Sequence, residues 1–317
     1  MITVIIPVKN GESTLGSCLT AIKKQRLSDS VEMLVIDSGS TDNSISIAYS
    51  YGARVIQITP QSFNHGMTRN IGAQLANGSL LYYTVQDAEL SDISNLAHMS
   101  AHFQDIEVQA VFGIQGYPKE LNKNPALWFK RFTKPILEIR HYKENSFSKL
   151  SENEQFEVSN WDNVNAMYRK SALVAIPFRN LDYCEDWLWA NDALKKGMKI
   201  LRDPSLLTYH YHHLTFGYVF KSQFIINYHF FKHFNHQPKI HFTFFPFIRK
   251  VYTLLNRREV KWLDKSYWIF HNMFAHLSNF FSILLFRGSL FFGGSRLLEN
   301  IYSIICKKVP QGGLKND

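Results

Sequence analysis

Short apolar runs alternate with amphipathic stretches through the first third of the chain, and this alternation constrains the fold more than any other feature. The apolar runs cover residues 2–7, 31–37, 54–58, 80–85 and 110–114. The stretches between them have helical spacing, at residues 13–25, 41–51, 66–76 and 92–103. Strands that alternate with helices predict repeated βαβ units, and therefore an α/β fold around a mostly parallel sheet. Such a sheet gathers its ligand-facing loops at the carboxyl ends of the strands.

Length and composition allow one large α/β domain and an extension. The chain has 317 residues, of which 45% are hydrophobic and 19% are charged, as in a globular protein. The cysteines Cys18, Cys184 and Cys306 have no paired spacing, so we expect a reduced, cytoplasmic compartment. The first seven residues have an apolar run without a basic leader or cleavage site, and we interpret them as a buried strand. The net charge of +9 fits nucleic acid, an anionic membrane or a phosphorylated substrate, and charge alone does not choose among them.

The middle and the end of the chain differ in character from the beginning. Residues 119–155 are rich in Lys, Asn, Glu and Ser and predict an inserted, partly mobile region near the active face; residues 156–169 are predicted to be extended. Residues 185–196 predict a helix and 198–201 a short strand. After Tyr209, Phe, Tyr and His dominate, with Lys and Arg interspersed. The most apolar piece, 277–292, is interrupted by Arg287 and Gly288, which favours helices that lie on a membrane or pack on the first domain over a spanning helix.

Polar clusters follow the first two predicted strands. Pro7 is expected to end the first strand, and the following loop, through Asn10 to Glu12, offers backbone donors and polar side chains; a simple Asn-Gly turn explains it equally well. Asp37 ends the second strand. Because Ser40 or the next threonine can cap the following helix, Asp37 is expected to stay free at the strand tip, where its carboxylate can accept a hydrogen bond from a pyrimidine N–H.

Two further clusters follow the third and fourth strands. Gly66 begins a predicted helix and Arg69 lies one turn into it, which predicts an electropositive N-terminus suited to a diphosphate; the alternative is a turn with a surface arginine. Gln86 and Asp87 follow the fourth strand, and a carboxylate there can hold a divalent cation that bridges two phosphates. An isolated aspartate at a strand end is more often a turn residue, so the significance lies in four clusters after four consecutive strands.

Two adjacent carboxylates, Glu185 and Asp186, stand between Tyr183 and Trp187. Because neighbouring carboxylates repel each other and lose hydration beside aromatic rings, at least one should have a raised pKa, which suits a general base. Acidic residues are also favoured in the first turn of a helix by its dipole. The pattern alone leaves both interpretations open.

In this order, the clusters resemble the inverting glycosyltransferases of family 2, and within them the rhamnosyltransferase-like group. The matching pieces are Ile-Ile-Pro-Val-Lys-Asn from Ile5, Asp-Ser-Gly-Ser-Thr-Asp from Asp37, residues 63–70, Gln-Asp-Ala from Gln86, Glu185-Asp186 and Tyr209-His210. The resemblance covers about residues 2–234 and implies a GT-A fold, which is Rossmann-like with flanking helices. We therefore expect a catalytic domain at 1–215, with a nucleotide-sugar half to about 115 and an acceptor half after it, and an aromatic, basic helical extension at 216–317.

The resemblance also implies a reaction and its residues. The donor would be a dTDP- or UDP-linked sugar, with rhamnose as the first choice, and the pathway would make a surface polysaccharide such as O-antigen. By position, the resemblance implies that Pro7, Asn10, Glu12 and Gln86 line the nucleotide, that Asp37 pairs with the nucleobase and that Arg69 faces the diphosphate. It also implies that Asp87 holds Mg²⁺ or Mn²⁺, that Asp186 is the general base, and that Glu185 orients or tunes Asp186. His210 matches a position that approaches the metal, although His212 and His213 are close enough to leave that choice open.

One departure from the family pattern concerns the metal motif. Val85 occupies the first position of the usual Asp-x-Asp, which leaves Asp87 as the acid there and implies weaker metal binding. Val85 therefore favours an alternative, a non-catalytic nucleotide-sugar or glycan-binding protein of the same fold. The Glu185-Asp186 pair argues against it, because a pure binder has no need of a base. Nucleic acid is not an expected partner, since no recognised binding motif accompanies the positive charge.

The acceptor site is the least defined part of the sequence. Residues 160–166 combine Trp161 with amide side chains, which is one way to contact sugar rings and hydroxyls, and a loop with Asx turns is the alternative. The basic, aromatic C-terminal segment suits a lipid-diphosphate-linked acceptor, with the protein peripheral at the inner face of the membrane.

Overall fold

The computed structural model describes residues 1–128, 135–143, 145–181, 183–212, 214–239 and 245–305. It forms two compact units. The first contains Met1–Gly116 and Arg131–Tyr211, and the second contains Tyr117–Lys130 and His212–Asp317. The functional division at residue 215 stays a prediction, because compactness alone does not test it. Cys18 and Cys184 are buried free thiols, and Cys306 lies outside the described residues.

A nine-stranded sheet lies at the centre of the first unit. Its strands are β1 (Ile2–Val8), β2 (Val31–Asp37), β3 (Arg54–Gln57), β4 (Leu80–Tyr83), β5 (Ala88–Leu90), β6 (Val108–Gly116), β7 (Glu138–Arg140), β8 (Ala166–Arg169) and β9 (Lys199–His210). They follow the order β3-β2-β1-β4-β8-β6-β9-β5, and β7 pairs with β9. The first four positions are parallel, as is the β6–β9 pair, whereas β8, β5 and β7 pair antiparallel to their neighbours. The predicted α/β fold is confirmed.

Helices cover both faces of this sheet, so its central strands are apolar on both sides. The helices of the first unit are α1 (Leu15–Lys23), α2 (Ser44–Ser50), α3 (His65–Leu75), α4 (Asn95–Ala101), α5 (Glu152–Val158), α6 (Lys170–Ala175) and α7 (Glu185–Lys195). In β1, Ile5 faces one apolar cluster with Leu34, while Ile6 faces a second cluster with Val35. Burial of successive residues explains why the strand reads as a continuous apolar run.

Two expectations about local structure are wrong. Pro7 does not end β1, which continues to Val8, because the β4 ladder stops at Ile5 and the missing N–H of Pro7 therefore removes no ladder bond on that side. The segment predicted to be extended from residue 156 begins inside α5. The hydroxyl of Ser151 accepts from the N–H of Glu154, whose carboxylate accepts in return from the N–H of Ser151. This capping box starts the helix, and its Ser-x-x-Glu signal is visible in the sequence.

The second unit is helical, with α8 (Phe216–Phe234), α9 (Phe245–Leu255) and α10 (Trp262–Ile305). Its core includes Phe224 and Phe286, together with a stack of Tyr228 on Tyr302 whose ring centroids are 3.9 Å apart. The backbone of α10 passes through Arg287 and Gly288 and departs from helical geometry at Gly294. By length and composition α10 could cross a membrane, although core helices of soluble proteins meet the same criterion.

Candidate active site

The loops after β1 and β2 are joined at the carboxyl edge of the sheet. The side-chain oxygen of Asn10 accepts from the N–H of Thr41 at 2.8 Å, and the N–H of Asn10 donates to the hydroxyl of Ser40 at 2.9 Å. The carboxylate of Glu12 accepts from the amide of Asn43 at 2.7 Å. Asn10 has a φ of 47°, a left-handed conformation that asparagine tolerates better than most residues. The two loops therefore form one exposed polar surface that contains the predicted nucleotide-lining residues Asn10 and Glu12.

The side chain of Gln86 is hydrogen-bonded to the backbone of the loop after β1. Its Oε1 accepts from the N–H of Lys9 at 2.8 Å and its Nε2 donates to the carbonyl of Lys9 at 3.1 Å, as a neighbouring strand would. A Cβ on Gly11 would lie 2.8 Å from the same Oε1, so a larger residue there would displace the Gln86 amide from Lys9. Gln86 is buried, and the structure gives it a positioning role. A direct contact with nucleotide stays a prediction.

Asp37 is not free at the tip of β2, and that expectation is wrong. Its side chain is fully buried and its carboxylate accepts from the N–H groups of Gly39 at 3.0 Å and Ser40 at 3.1 Å. Gly39 has a φ of 83°, which closes the turn around the carboxylate. Asp37 therefore shapes the loop that carries Ser40. Contact between Asp37 and a nucleobase stays a prediction, and it would use a remaining lone pair of the Asp37 carboxylate.

The N-terminus of α3 is already bonded within the first unit, which contradicts its predicted role as an open anion site. The N–H of Gly66 donates to the carbonyl of Leu181 at 3.3 Å, and the N–H of Met67 donates to the side chain of Asn64 at 3.0 Å. A Cβ on Gly66 would lie 1.9 Å from the carbonyl oxygen of Arg179, so close backbone approach explains this glycine. A segment more than 100 residues away in the sequence covers the helix end, which a local sequence pattern does not reveal.

Arg69 lies inside the protein, where its Nη1 donates to Oε1 of Glu185 at 2.6 Å. Each of the two side chains is about 6% exposed. The sequence-based expectation that Arg69 faces the diphosphate does not match this geometry, because the guanidinium is directed at Glu185. The pair links α3 to the start of α7 and places a fixed positive charge beside the two adjacent carboxylates.

The environments of Glu185 and Asp186 move their pKa values in opposite directions. Burial acts to raise the pKa of Glu185, but Arg69 and then His65 outweigh it, so the pKa lies below its usual range. Burial raises the pKa of Asp186 well above its usual range, and the charges of Glu185 and Asp162 raise it further. Two carboxylates with divergent pKa values are a common arrangement for acid–base work. Asp186 is the member with the proton affinity of a base.

Cys184 immediately precedes this pair and adopts a left-handed backbone with φ of 69°. Such a conformation is unusual for a residue with a Cβ and occurs often at functional sites. It turns the chain sharply into α7, so that Glu185 and Asp186 occupy the first turn of the helix. Burial and the two carboxylates raise the pKa of the Cys184 thiol, which is therefore neutral.

Asn163 connects both carboxylates to a buried polar network. Its Nδ2 donates to Glu185 at 3.3 Å and its backbone N–H donates to Asp186 at 3.4 Å. Its Oδ1 accepts from the hydroxyl of Tyr168 at 2.5 Å, which accepts in turn from the indole of Trp161. Trp161 is buried in the core, so the expectation that its ring contacts an acceptor sugar is wrong. The segment around Asn163 therefore positions the carboxylates of Glu185 and Asp186 by hydrogen bonds.

Pairing of β5 with β9 brings the predicted metal ligands together. Ala88 is in register with His210, and Nε2 of His210 lies 3.3 Å from Oδ1 of Asp87. The carboxylate and the imidazole could hold a divalent metal ion, since oxygen and imidazole ligands suit Mg²⁺ and Mn²⁺ between them. His212 belongs to the second unit, and His213 lies outside the described residues.

Gln115, on β6, connects this pair to the general-base candidate, and it is not among the residues predicted from the sequence. Its Oε1 lies 2.7 Å from Nδ1 of His210, which fits an Nδ1–H donor and leaves Nε2 directed at Asp87. Its Nε2 donates to the carboxylate of Asp162. Because Asp162 raises the pKa of Asp186, one amide links the two parts of the site. Gln115 follows the buried apolar run from Ala110 to Ile114 near the end of β6, and this position after a strand-like run is the sequence signal that could have marked it.

Comparisons with known proteins agree with this geometry. The family model for glycosyl transferase family 2 matches residues 3–176, more than half of the chain. The O-antigen chain rhamnosyltransferase RfbN of Salmonella typhimurium is 34% identical over 123 residues, which are 38% of this chain and 39% of that protein. The O-antigen chain rhamnosyltransferase WbaN of Salmonella anatum is 36% identical over 115 residues, which are 36% of each chain. The alignments thus span well under half of these relatives.

Solved structures share the fold at low sequence identity. The mannosyltransferase PcManGT from Pyrobaculum calidifontis, in complex with GDP-Man and Mn²⁺, has a TM-score of 0.54 at 15% identity and covers 95% of this chain and 78% of its own. TarS of S. aureus in complex with UDP-GlcNAc has a TM-score of 0.53 at 15% identity, with 98% and 81% covered. Both support the GT-A fold that the sequence predicts. With the family match over residues 3–176, we conclude that the chain belongs to glycosyltransferase family 2.

Proposed function

We propose that the protein transfers a sugar, with rhamnose as the first choice, from a nucleoside diphosphate to an acceptor hydroxyl with inversion. The observation that carries this proposal is the divergence between Glu185 and Asp186. Asp186 accepts the proton of the acceptor hydroxyl, whose oxygen attacks the anomeric carbon from the face opposite the leaving nucleoside diphosphate. Glu185 stays ionised through Arg69, and its charge keeps the proton affinity of Asp186 high.

The nucleoside diphosphate gains negative charge as its bond to the anomeric carbon breaks, and positive charge nearby stabilises it. Asp87 and His210 would hold the metal ion, and a bound Mg²⁺ or Mn²⁺ ion would supply stabilisation of the developing diphosphate charge. Gln115 fixes the ring of His210 for that task. The guanidinium of Arg69 acts on Glu185, so we assign it to tuning the base and not to holding the diphosphate.

The polar loops and the sequence relatives favour a particular class of donor and of acceptor. The exposed Asn10 and Glu12 would line a nucleotide, with Asp37 behind them. Complexes of structural relatives hold UDP-GlcNAc and GDP-Man, and the matched Salmonella proteins are rhamnosyltransferases, which favours a dTDP- or UDP-linked donor here. The acceptor we propose is a glycan, lipid-diphosphate-linked, at the inner face of the cytoplasmic membrane, in the synthesis of a surface polysaccharide such as O-antigen.

A non-catalytic binding protein of the same fold is the alternative that Val85 favours. A binder would have no use for a carboxyl group of raised pKa beside an ionised carboxylate. The geometry of Glu185 and Asp186 therefore weighs against this alternative.

A thermal-shift panel with dTDP, UDP, GDP and CDP, each with and without Mn²⁺, tests the donor half of the proposal. A nucleotide at one hundred times its dissociation constant should add about 2.7 kcal/mol of stability. We expect Mn²⁺-dependent stabilisation by dTDP or UDP, and loss of the Mn²⁺ dependence in Asp87→Asn. Glu89→Gln, two residues away and exposed, is the matched control. No stabilisation by any nucleotide would contradict the proposal.

A further inference from the structure

The distribution of side chains around α10 differs from that of a helix that faces water. Five of its eight buried positions carry small or polar residues, namely Asn272, Ala275, Ser278, Ser282 and Ser289, and the other three carry Trp268, Phe286 and Leu298. Its exposed positions carry large apolar side chains, among them Leu263, Phe270, Phe274, Phe281, Leu284 and Phe291. A water-facing helix buries its apolar stripe and exposes its polar one. Small and polar residues between helices, with large apolar residues outside, are typical of helices that contact lipid.

The exposed apolar residues of α10 form one continuous face. Leu263, Phe270, Phe274, Phe281, Leu284 and Phe291 recur at intervals of three, four or seven residues, which is the spacing of a single helix side. Leu263 is 81% exposed, Phe270 58% and Phe291 84%. At 1.5 Å per residue, this face is about 42 Å long.

Helix α9 has a similar exposed face. Phe245, Ile248, Tyr252 and Leu255 are all exposed and recur at intervals of three or four residues. Monomeric soluble proteins rarely expose continuous apolar surfaces of this extent. We call the exposed faces of α9 and α10 together the apolar surface of the second unit.

The charges of this region define what would cover the apolar surface. Residues 266–286 contain no Asp, Glu, Lys or Arg. Cationic residues gather beside this stretch, where Arg258 and Lys261 are exposed next to Trp262. From residue 245 to 305 the sequence has eight Lys and Arg and three Asp and Glu. Tryptophan with neighbouring cations is the usual arrangement at the headgroup level of an anionic bilayer.

We propose that the apolar surface of the second unit binds an anionic phospholipid bilayer, with α9 and α10 lying in the membrane interface. The exposed apolar side chains of α10 lie on one side of the helix while another side is buried within the second unit, and this one-sided exposure suits a helix that lies in the plane of the interface. A second copy of the chain would bring the same excess of cations together, which favours lipid as the occupant. The membrane contact is independent of the transfer reaction, because it rests on the second unit alone.

Vesicle flotation of the full chain tests this proposal. We expect binding to vesicles of phosphatidylcholine with phosphatidylglycerol and weaker binding to phosphatidylcholine alone. The combined substitutions Phe270→Ser, Phe274→Ser and Phe281→Ser should lower the partition coefficient about tenfold or more, since each removes an apolar side chain from the interface. Arg258→Gln and Lys261→Gln should each lower it about fivefold on the anionic vesicles, as about 1 kcal/mol per cation predicts.

Controls separate the surface from general stickiness and from unfolding. Ile106→Ser, Ile139→Ser and Val174→Ser remove exposed apolar side chains from the first unit and should leave flotation unchanged. Circular dichroism should show the same helix content in all variants, because every substituted residue is exposed. Wild-type protein that binds neither kind of vesicle, or a triple Phe variant that floats like wild type, would overturn the proposal. A dimer in sedimentation velocity that the Phe substitutions dissociate, without vesicle binding, would assign the surface to a second copy and overturn it as well.

Discussion

Replacing Arg69 with methionine should destabilise the first unit strongly and in a pH-dependent way. The substitution keeps most of the side-chain volume and removes the guanidinium that lies 2.6 Å from Glu185, with both groups about 6% exposed. Breaking a buried ion pair by removing one partner costs about 3–5 kcal/mol, because a buried charge is left without compensation. Arg179→Met is the matched control. Its pair with Asp192 has the similar distance of 2.7 Å, but Arg179 is 48% exposed, so the expected cost is about 0–1 kcal/mol.

The sign of the pH dependence follows from Glu185. In the wild type its folded pKa is lowered, so it contributes stability above its unfolded pKa of 4.5, and this contribution is lost as the pH falls through the folded pKa. Without Arg69 the largest opposing contribution to burial is lost, so the folded pKa rises and Glu185 contributes less stability above pH 4.5. The difference between Arg69→Met and wild type should therefore be large at pH 7 and shrink as the pH falls below 4.5.

Urea unfolding at several pH values measures this difference, and buried Trp161 and Trp189 supply a fluorescence signal from the first unit. The double variant Arg69→Met with Glu185→Leu should recover much of the loss, because an apolar pair can replace a buried ion pair. Equal losses in Arg69→Met and Arg179→Met would refute the reasoning. A loss that does not change between pH 7 and pH 4 would refute it too.

Two further predictions concern the supports of the site, and a third concerns Asp203 on β9, which pairs with His102. Gln86→Ala removes two hydrogen bonds to Lys9 and should weaken nucleotide binding, measured by calorimetry, while the surface change Gln109→Ala should not. Gln115→Leu should weaken Mn²⁺ binding about 10–100-fold in a metal titration without nucleotide, and unchanged affinity would contradict its role beside His210. Burial acts to raise the pKa of Asp203, but hydrogen bonds from His102 and Ser205 lower it to about 2. Asp203→Asn should therefore lower the stability above pH 3.8, and in acid unfolding its difference from wild type should shrink as the pH falls from 3.8 and vanish below the folded pKa of about 2.

The parallel half of the sheet was predictable from the sequence because local signals determine it. Continuous apolar runs with a polar cluster after each one identify β1 to β4, and β2 begins and ends where the pattern predicts. Strands β5 and β7 have three residues each and pair with β9. No local sequence pattern predicts this long-range pairing. The extension of β9 to His210 was missed for the same reason.

Residue types in the site were easier to predict than their partners. A raised pKa at one of the two residues Glu185 and Asp186 was predictable, because adjacent acids in an aromatic setting repel each other and lose hydration. The destination of Arg69 was not, because it depends on a partner 116 residues away in the sequence. Asp37 likewise accepts from its own turn, although the sequence pattern left it free. Long-range pairing and local turn geometry, more than residue identity, decided these outcomes.

The most direct test of the central claim separates donor binding from turnover in Asp186→Asn. The donor is the nucleotide sugar whose nucleotide stabilises the protein in the thermal-shift panel. The acceptor is lipid-linked glycan extracted from membranes of the organism that makes this protein, and the assay measures release of nucleoside diphosphate. Asp192→Asn, on the same helix, is the control. We predict that Asp186→Asn binds donor like wild type while turnover falls by about 10²-fold or more, because a general base contributes about that much. Turnover within a few-fold of wild type in Asp186→Asn, with donor binding intact, would contradict the account.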